Sequence, residues 1–514
     1  MDTQKQTRTG FSLFAMATLM IVAFTIGTDF TGALLLVPAI ETELGADITT
    51  TQWVLNIYAL TFSMFMVTGG RLGDTHERRR ILLIGLVIFV IASIGCFTAP
   101  SVGVLIASRA LQGFGAGMIW PSILAFGATN SSEDQRGFVM GLILAGVTMG
   151  NVIGPLIGGV SVSMGDWRLF FVVNALFSAI AALMVLRVLP KQPPQTHNEP
   201  IDVFGILVLS AAILALLYAL DAGAGWGWGS AVIIGLFSAS FVLFVAFPFV
   251  ERFVKDPVLP PQMLHNREFL LALSLNALLM PAVFVAFLYF PQFLQKMLGW
   301  SVLQASFGMI PLMLPLAVGS IIAGNFYKPV GPKRLLFAGY ALVALGCLWV
   351  VFMNPSWGYF AVLPAMLLMG FGAPLAVSTA GTATVSSVAA SRAGVAGGLS
   401  FMFHLAYGAI GVAVATAIMA VSSEGQIRAG LKEAGLSLSN TAIDVLASGP
   451  ASSSAAKSAL SGFNASDIDK IQSLIHSAFA SGMSLAYWPA LASAVAGLLV
   501  IAALDESKLH AIDG

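Results

Sequence analysis

Two ionisable side chains sit where such side chains are rare. Of 24 acidic residues only Asp29 lies inside a long apolar run, with Asp221 at the end of another, and of 24 basic residues only Arg109 is so placed. A carboxylate in hydrocarbon costs roughly 3 kcal/mol or more on insertion scales, so it must face a cavity or a partner and is a functional candidate by default. Burial favours its neutral form and a nearby cation its charged form, which lets such a site gain or lose a proton near neutral pH. Asp29 lies nine residues before Pro38, and Arg109 eight residues after Ser101. At about 1.5 Å per helical residue, both stand roughly 12–14 Å below the same membrane face. The spacing predicts that they communicate, directly or through water, the arginine holding the aspartate ionised until substrate or a conformational change separates them. The alternatives are an aspartate satisfied by the Thr28 and Thr31 hydroxyls, and an arginine bonded to carbonyls at a helix break.

Three further groups could act. Gly70 to Arg80 crowds Asp74 and Glu77 among Arg71, Arg78, Arg79 and Arg80. Membrane anchoring accounts for the arginines but not for an aspartate at a helix end. Asp74 could pair with an arginine or accept from a neighbouring helix N-terminus, making a latch that closes in one conformation. Gly146, Gly150, Gly154 and Gly158 recur every fourth residue, with Pro155 and Gly159 beside them. Bare backbone on one face allows close helix approach, and the proline adds a bend. His404 could titrate near neutral pH, but no acid stands near it in sequence, which favours a packing role. Trp226 and Trp228 are interface anchors. No G-x-x-x-x-G-K-[ST] sequence occurs, so ATP hydrolysis is unsupported and an enzyme is not expected. Cys96 and Cys347 offer neither a disulfide framework nor metal-ligand spacing.

The elements that must carry these groups follow from composition. The chain has 514 residues, 58% hydrophobic and 9% charged, with no net charge. A soluble domain carries about a quarter charged residues, and a nucleic-acid partner requires a basic face, so both classes are excluded. A bilayer core needs roughly 20 apolar residues per helix. Fourteen apolar runs reach about that length: 11–37, 52–70, 81–99, 102–127, 138–162, 167–188, 203–220, 230–250, 269–290, 303–326, 335–353, 358–383, 396–421 and 484–504. The first is too long for a signal-peptide core and reads as a retained helix. With the N-terminus inside, 17 of the 24 basic residues fall on the cytoplasmic side, so both termini are expected there. Gly70–Arg79 and Gly324–Lys333 are both basic turns after glycine-ended helices, 254 residues apart. That offset predicts an all-α membrane protein of two six-helix bundles plus two central helices, with a site between the halves. The expected division is a bundle at 1–188, a proline-rich cytoplasmic linker at 189–201, the central pair at 202–255 and a second bundle at 256–514. Within the last, 422–483 is an outer loop, read as an amphipathic helix pair capping the outer mouth or as a hairpin with no role in transport.

Over essentially its whole length the chain resembles the major facilitator superfamily, in particular its fourteen-helix drug:proton antiporter branch. Gly70-Arg71-Leu72-Gly73-Asp74 with Arg78-Arg79 resembles the loop between helices two and three, although Thr75 and Glu77 depart from it. Arg109 with Gln112 and Gly113 resembles the arginine motif linked in that family to proton coupling. GNVIGPLIGG, Gly150 to Gly159, is similar to the antiporter motif. Asp29-Phe30-Thr31 with Pro38, Trp53 with Tyr58, and Asp166-Trp167-Arg168 with Asn174 fit the same branch. The resemblance implies a proton-coupled exporter in the cytoplasmic membrane, a monomer among lipids, needing no cofactor or metal beyond the proton. Asp29 and Arg109 would carry coupling; His404, Tyr58 and Trp53 are secondary candidates. No carboxylate lies in a membrane run of the second half, which points to monovalent cationic, neutral or lipid-like substrates. The other readings are a lipid or siderophore exporter, an uncoupled facilitator and a membrane sensor.

Overall fold

A computed structural model describes residues 12–45, 48–191, 203–254, 257, 263, 265–300, 302–389, 392–434, 436, 443 and 463–505. Helix α1 (Leu13–Gly32) starts where the Ser12 hydroxyl accepts from the Ala15 N–H, and continues through one 3-10 turn (Ala33–Leu36) into α2 (Val37–Leu44). The rest of the first bundle is α3 (Ile48–Thr75), α4 (Arg78–Phe97), α5 (Val102–Asn130), α6 (Glu133–Ser163) and α7 (Leu169–Val188). A central pair follows, α8 (Val203–Trp226) and α9 (Ala231–Glu251). The second bundle is α10 (Arg267–Lys296), α11 (Val302–Gly308), α12 (Ile310–Val330), α13 (Pro332–Val351), α14 (Tyr359–Ser386), α15 (Ala393–Glu433) and α16 (Ala465–Ala503). Thirteen of these helices are long and apolar enough to cross a membrane, and α8, with its apolar stretch Leu207–Leu220, makes the fourteenth. Exposed Val, Leu, Ile and Phe side chains stud their outer faces, as expected where the solvent is lipid.

The internal repeat is visible in bonding as well as in helix order. Arg79 donates to the Leu186 carbonyl at the end of α7, 2.5 Å away. Lys333, 254 residues later, donates to the Ala502 and Leu504 carbonyls at the end of α16, at 3.2 and 3.0 Å. In each bundle a cation from the basic turn thus caps the carbonyl end of the last helix.

Two sequence expectations need correction. The basic turns do not begin at Gly70 and Gly324, because α3 runs on to Thr75 and α12 to Val330. Charge ends an apolar run, but it does not end a helix whose backbone has no breaker. Likewise 422–433 and 465–483 are not a separate helix pair: they prolong α15 and α16 beyond their apolar runs. Ile427 and Leu431 of one pack with Ile471, Ile475 and Ala478 of the other. The middle of that loop, the linker from 192 to 201 and both termini, with Lys5, Arg8 and Lys508, lie outside the described residues.

The bundles meet along two seams at the basic end. On one, α6 crosses α12: a Cβ on Gly137 would stand 2.6 Å from the Gly324 carbonyl oxygen, and one on Gly141 2.3 Å from that of Ser320. On the other, α3 crosses α15, where a Cβ on Gly70 would stand 2.4 Å from the Gly394 carbonyl oxygen. Helix α8 lies over this second seam. Its Ser210 hydroxyl donates to the Met64 carbonyl at 3.1 Å, and its Leu209 and Ile213 pack in one cluster with Leu60 and Val67 of α3 and Val395 and Leu399 of α15.

Candidate functional site

Asp29 lies three residues before the end of α1 and is fully buried. Its carboxylate oxygen Oδ2 accepts from Arg109 Nη1 of α5 at 2.5 Å. The other oxygen, Oδ1, accepts from Gln112 Nε2 at 3.1 Å and from Asn174 Nδ2 of α7 at 3.2 Å. Arg109 Nε donates to the Val54 carbonyl of α3 at 2.9 Å, and Nη1 also donates to Gln112 Oε1 at 2.7 Å. Gln112 Nε2 further donates to the Ser93 hydroxyl of α4 at 2.9 Å. The guanidinium lies 4.2 Å from the centroid of the Tyr58 ring. Four helices besides α1 therefore hold one carboxylate and one guanidinium out of water. A buried pair is expensive to desolvate and survives only when its remaining donors and acceptors are met, as they largely are here.

The two groups expected to share a depth are in direct contact. The Thr28 and Thr31 hydroxyls do not bond to Asp29; they donate to carbonyls, Thr28 to that of Phe24 and Thr31 to those of Gly27 and Asn151. Gln112, Asn174 and Ser93 were not legible as site residues from chemistry alone. Neutral polar side chains raise no alarm in an apolar run, although Gln112, three residues after Arg109, shares its helix face.

At the basic end, Asp74 Oδ1 accepts from Arg78 Nη2 at 2.7 Å and from the Gly394 N–H at 3.2 Å, and Oδ2 accepts from the Val395 N–H at 3.2 Å. Asp74, Arg78 and Arg71 are buried. One carboxylate thus reaches both an arginine of its own bundle and the N-terminus of α15 in the other, where a helix presents free N–H groups and a positive dipole end. Arg79 belongs to the carbonyl cap of α7 instead.

The glycine stripe faces α1, within the first bundle. Cβ atoms on Gly146, Gly150, Gly154 and Gly158 would stand 2.3–2.5 Å from the carbonyl oxygens of Met20, Phe24, Thr28 and Gly32, each four residues after the last. Gly154 thereby seats α6 against the residue next to Asp29. Gly159 faces more open space, its nearest neighbour Leu35 Cδ1 at 3.7 Å, and Pro155 lies inside the unbroken α6. The other candidates spread out: Trp53 packs on Tyr218 of α8, centroids 5.1 Å apart, and His404 stacks on Phe401 at 4.9 Å with 9° between planes. At the end opposite the basic turns, Glu43 accepts from Trp167 Nε1 at 2.7 Å and pairs with Arg168.

A sequence model of the Major Facilitator Superfamily matches residues 19–412. The puromycin resistance protein pur8 of Streptomyces alboniger is 32% identical over 73% of this chain and 76% of its own. The tetracenomycin C resistance and export protein of Streptomyces glaucescens is 29% identical over 92% of this chain and 87% of its own. Among solved structures, the human organic anion transporter MFSD10 (TETRAN) superposes with a TM-score of 0.62 at 15% identity, covering 95% of this chain and 99% of that one, which is a likeness of fold.

Proposed function

This chain belongs to the Major Facilitator Superfamily, and we propose that it is a proton-coupled exporter expelling hydrophobic or monovalent cationic compounds across the cytoplasmic membrane. The relatives named for drug resistance and export support the direction of transport. The observation that carries the proton is the buried Asp29–Arg109 pair. In the present state the carboxylate is matched by a guanidinium and two amide donors. A proton arriving from outside would neutralise Asp29 and remove the charge that Arg109 faces. The guanidinium then keeps the Val54 carbonyl, Gln112 and the Tyr58 ring, and the contacts that hold α5 against α1 and α7 weaken. Substrate enters from the cytoplasm or inner leaflet in the state with the basic end open and leaves outward in the state with the Asp74 latch closed. Each ligand drives the change only through its different affinity for the two states.

The test is dye efflux in inverted vesicles driven by an imposed pH gradient. Asp29→Asn keeps the shape and some of the bonding of the site while removing its proton exchange, and should abolish gradient-driven efflux while leaving substrate binding measurable. Unchanged efflux would sink proton coupling through this residue.

A further inference from the structure

Between the Asp29 site and the Asp74 latch, rings from both bundles meet. Phe401 of α15 lies 4.7 Å from Trp120 of α5 and 5.5 Å from Phe62 of α3, centroid to centroid, and is stacked on His404. His404 in turn meets Phe284 of α10 edge-on at 5.8 Å, and Tyr58 lies 5.8 Å from Phe62. Two of these rings carry polar groups with no hydrogen-bond partner: Trp120 Nε1 and the Tyr58 hydroxyl, on residues only 1% exposed. Buried indole and phenol donors almost always find an acceptor, so their idleness here is a signal. We propose that this ring cluster is the seat of an uncharged, planar aromatic ligand bearing a hydrogen-bond acceptor such as a ring carbonyl.

The surroundings choose among ligand classes. Ring faces attract cations, but the idle groups here, an indole N–H and a phenol O–H, are donors that a cation cannot satisfy, and among the described residues no free carboxylate stands by to balance its charge. Asp29, the sole acid inside a membrane run of the sequence, is already committed to Arg109, Gln112 and Asn174. An anion would need a cation, and Arg109 is committed to the same network. Idle donors among stacked rings suit a neutral acceptor on a flat ring system. The seat would be a substrate site of the exporter proposed above and narrows that substrate to neutral aromatic carbonyl compounds.

The test is equilibrium binding to the full chain in nanodiscs, at one pH and without a gradient. The probes are 9,10-anthraquinone, anthracene as its carbonyl-free counterpart, and the cation ethidium. Trp120→Phe keeps a ring and removes the N–H. It should weaken anthraquinone binding about tenfold, to the level of anthracene, and leave anthracene and ethidium unchanged. Equal losses for all three probes, no loss for anthraquinone, or a wild-type preference for ethidium would each overturn the assignment. Should the variant unfold, the wild-type preference for anthraquinone over anthracene decides, about tenfold expected and none overturning. Selective binding in a chain that moves no probe under a pH gradient overturns the exporter reading alone. Gradient-driven efflux beside Trp120-insensitive binding overturns the seat alone.

Discussion

Asp74→Asn should open the basic end. Asp74 accepts two N–H groups from the far bundle, Gly394 and Val395, each at 3.2 Å, and one guanidinium from its own. A hydrogen bond to an ionised acceptor contributes about 1.5–3 kcal/mol and a neutral one roughly half as much, so the substitution removes at least about 1 kcal/mol from each cross-bundle bond, and more from the one whose accepting oxygen becomes an amide NH2, which cannot accept. Withdrawing the negative charge from the α15 N-terminus removes ~0.5–1 kcal/mol more. Close to 3 kcal/mol in all, or about a hundredfold in the equilibrium between closed and open forms, is therefore expected. Arg78, 2% exposed and left facing a neutral amide, pushes the same way. Spin labels at Arg80 and Arg334, both exposed at the basic end and 254 residues apart in the repeat, read the separation by double electron–electron resonance. Alanine at the buried Cys96 and Cys347 keeps labelling specific. The variant should show a longer-distance population that is minor in the parent. Gly394→Ala should do the same sterically, since its Cβ would stand 2.5 Å from the Gly70 carbonyl oxygen. Identical distance distributions in parent and Asp74→Asn would refute the latch.

Two other outcomes can be checked by thermal unfolding. Gly154→Ala places a Cβ 2.4 Å from the Thr28 carbonyl oxygen, and backbone cannot yield as a side-chain tip does, so α6 must move off α1. A loss of roughly 1–3 kcal/mol is expected, with reduced coupled transport because Asp29 follows Thr28; unchanged stability would show that the seam is slack. The Arg168 hydrogen bond holds the Glu43 carboxyl below its ordinary range. A depressed folded value means stabilisation that is present above the unfolded value and lost as pH falls through the folded one. Because the Glu43 side chain is 48% exposed, Glu43→Gln should cost less than about 1 kcal/mol at pH 7, and parent and variant should converge once the pH has fallen below the depressed Glu43 value. A difference that persists there would rule out titration of Glu43 as its source.

Much of the architecture was readable because hydrocarbon is an unforgiving solvent. Every spanning segment must satisfy its own backbone, so fourteen apolar runs could be counted, and lone charges such as Asp29 and Arg109 stood out. The same logic hid the rest. Ser93 left no mark at all, and Gln112 and Asn174 stood out only by resemblance to a family motif, because neutral polar side chains cost little to insert and nothing in their chemistry points to the Asp29 carboxylate until the fold brings them there. The overrun of α15 and α16 was hidden because hydropathy registers where lipid ends and says nothing of where a helix does. The meeting of Phe401 with Trp120 is a pairing across nearly 300 residues that no local pattern encodes.

A row on α3 ties these parts together and was equally illegible, because its members share no chemical type. Val54 gives its carbonyl to Arg109, Tyr58 lies under the guanidinium, Phe62 meets Phe401 and Gly70 meets Gly394. Between them, the Met66 carbonyl oxygen stands 2.9 Å from where a Gly398 Cβ would be, and Asp74 closes the row on the α15 N-terminus. These are every fourth residue over five steps. A step of four overshoots one helical turn by roughly 40°, so the row winds around α3 as it descends. It faces α5 at Val54 and α15 at Asp74, so one continuous helix carries both the support of the buried charge pair and the Asp74 bonds to the far bundle. A change in how Arg109 is held therefore acts on the same helix whose Asp74 bonds to the far bundle. Coupling through that helix needs no chain of intervening side-chain rearrangements, only a small tilt of α3, which the glycine contact at Gly70 and Gly394 is too close to absorb.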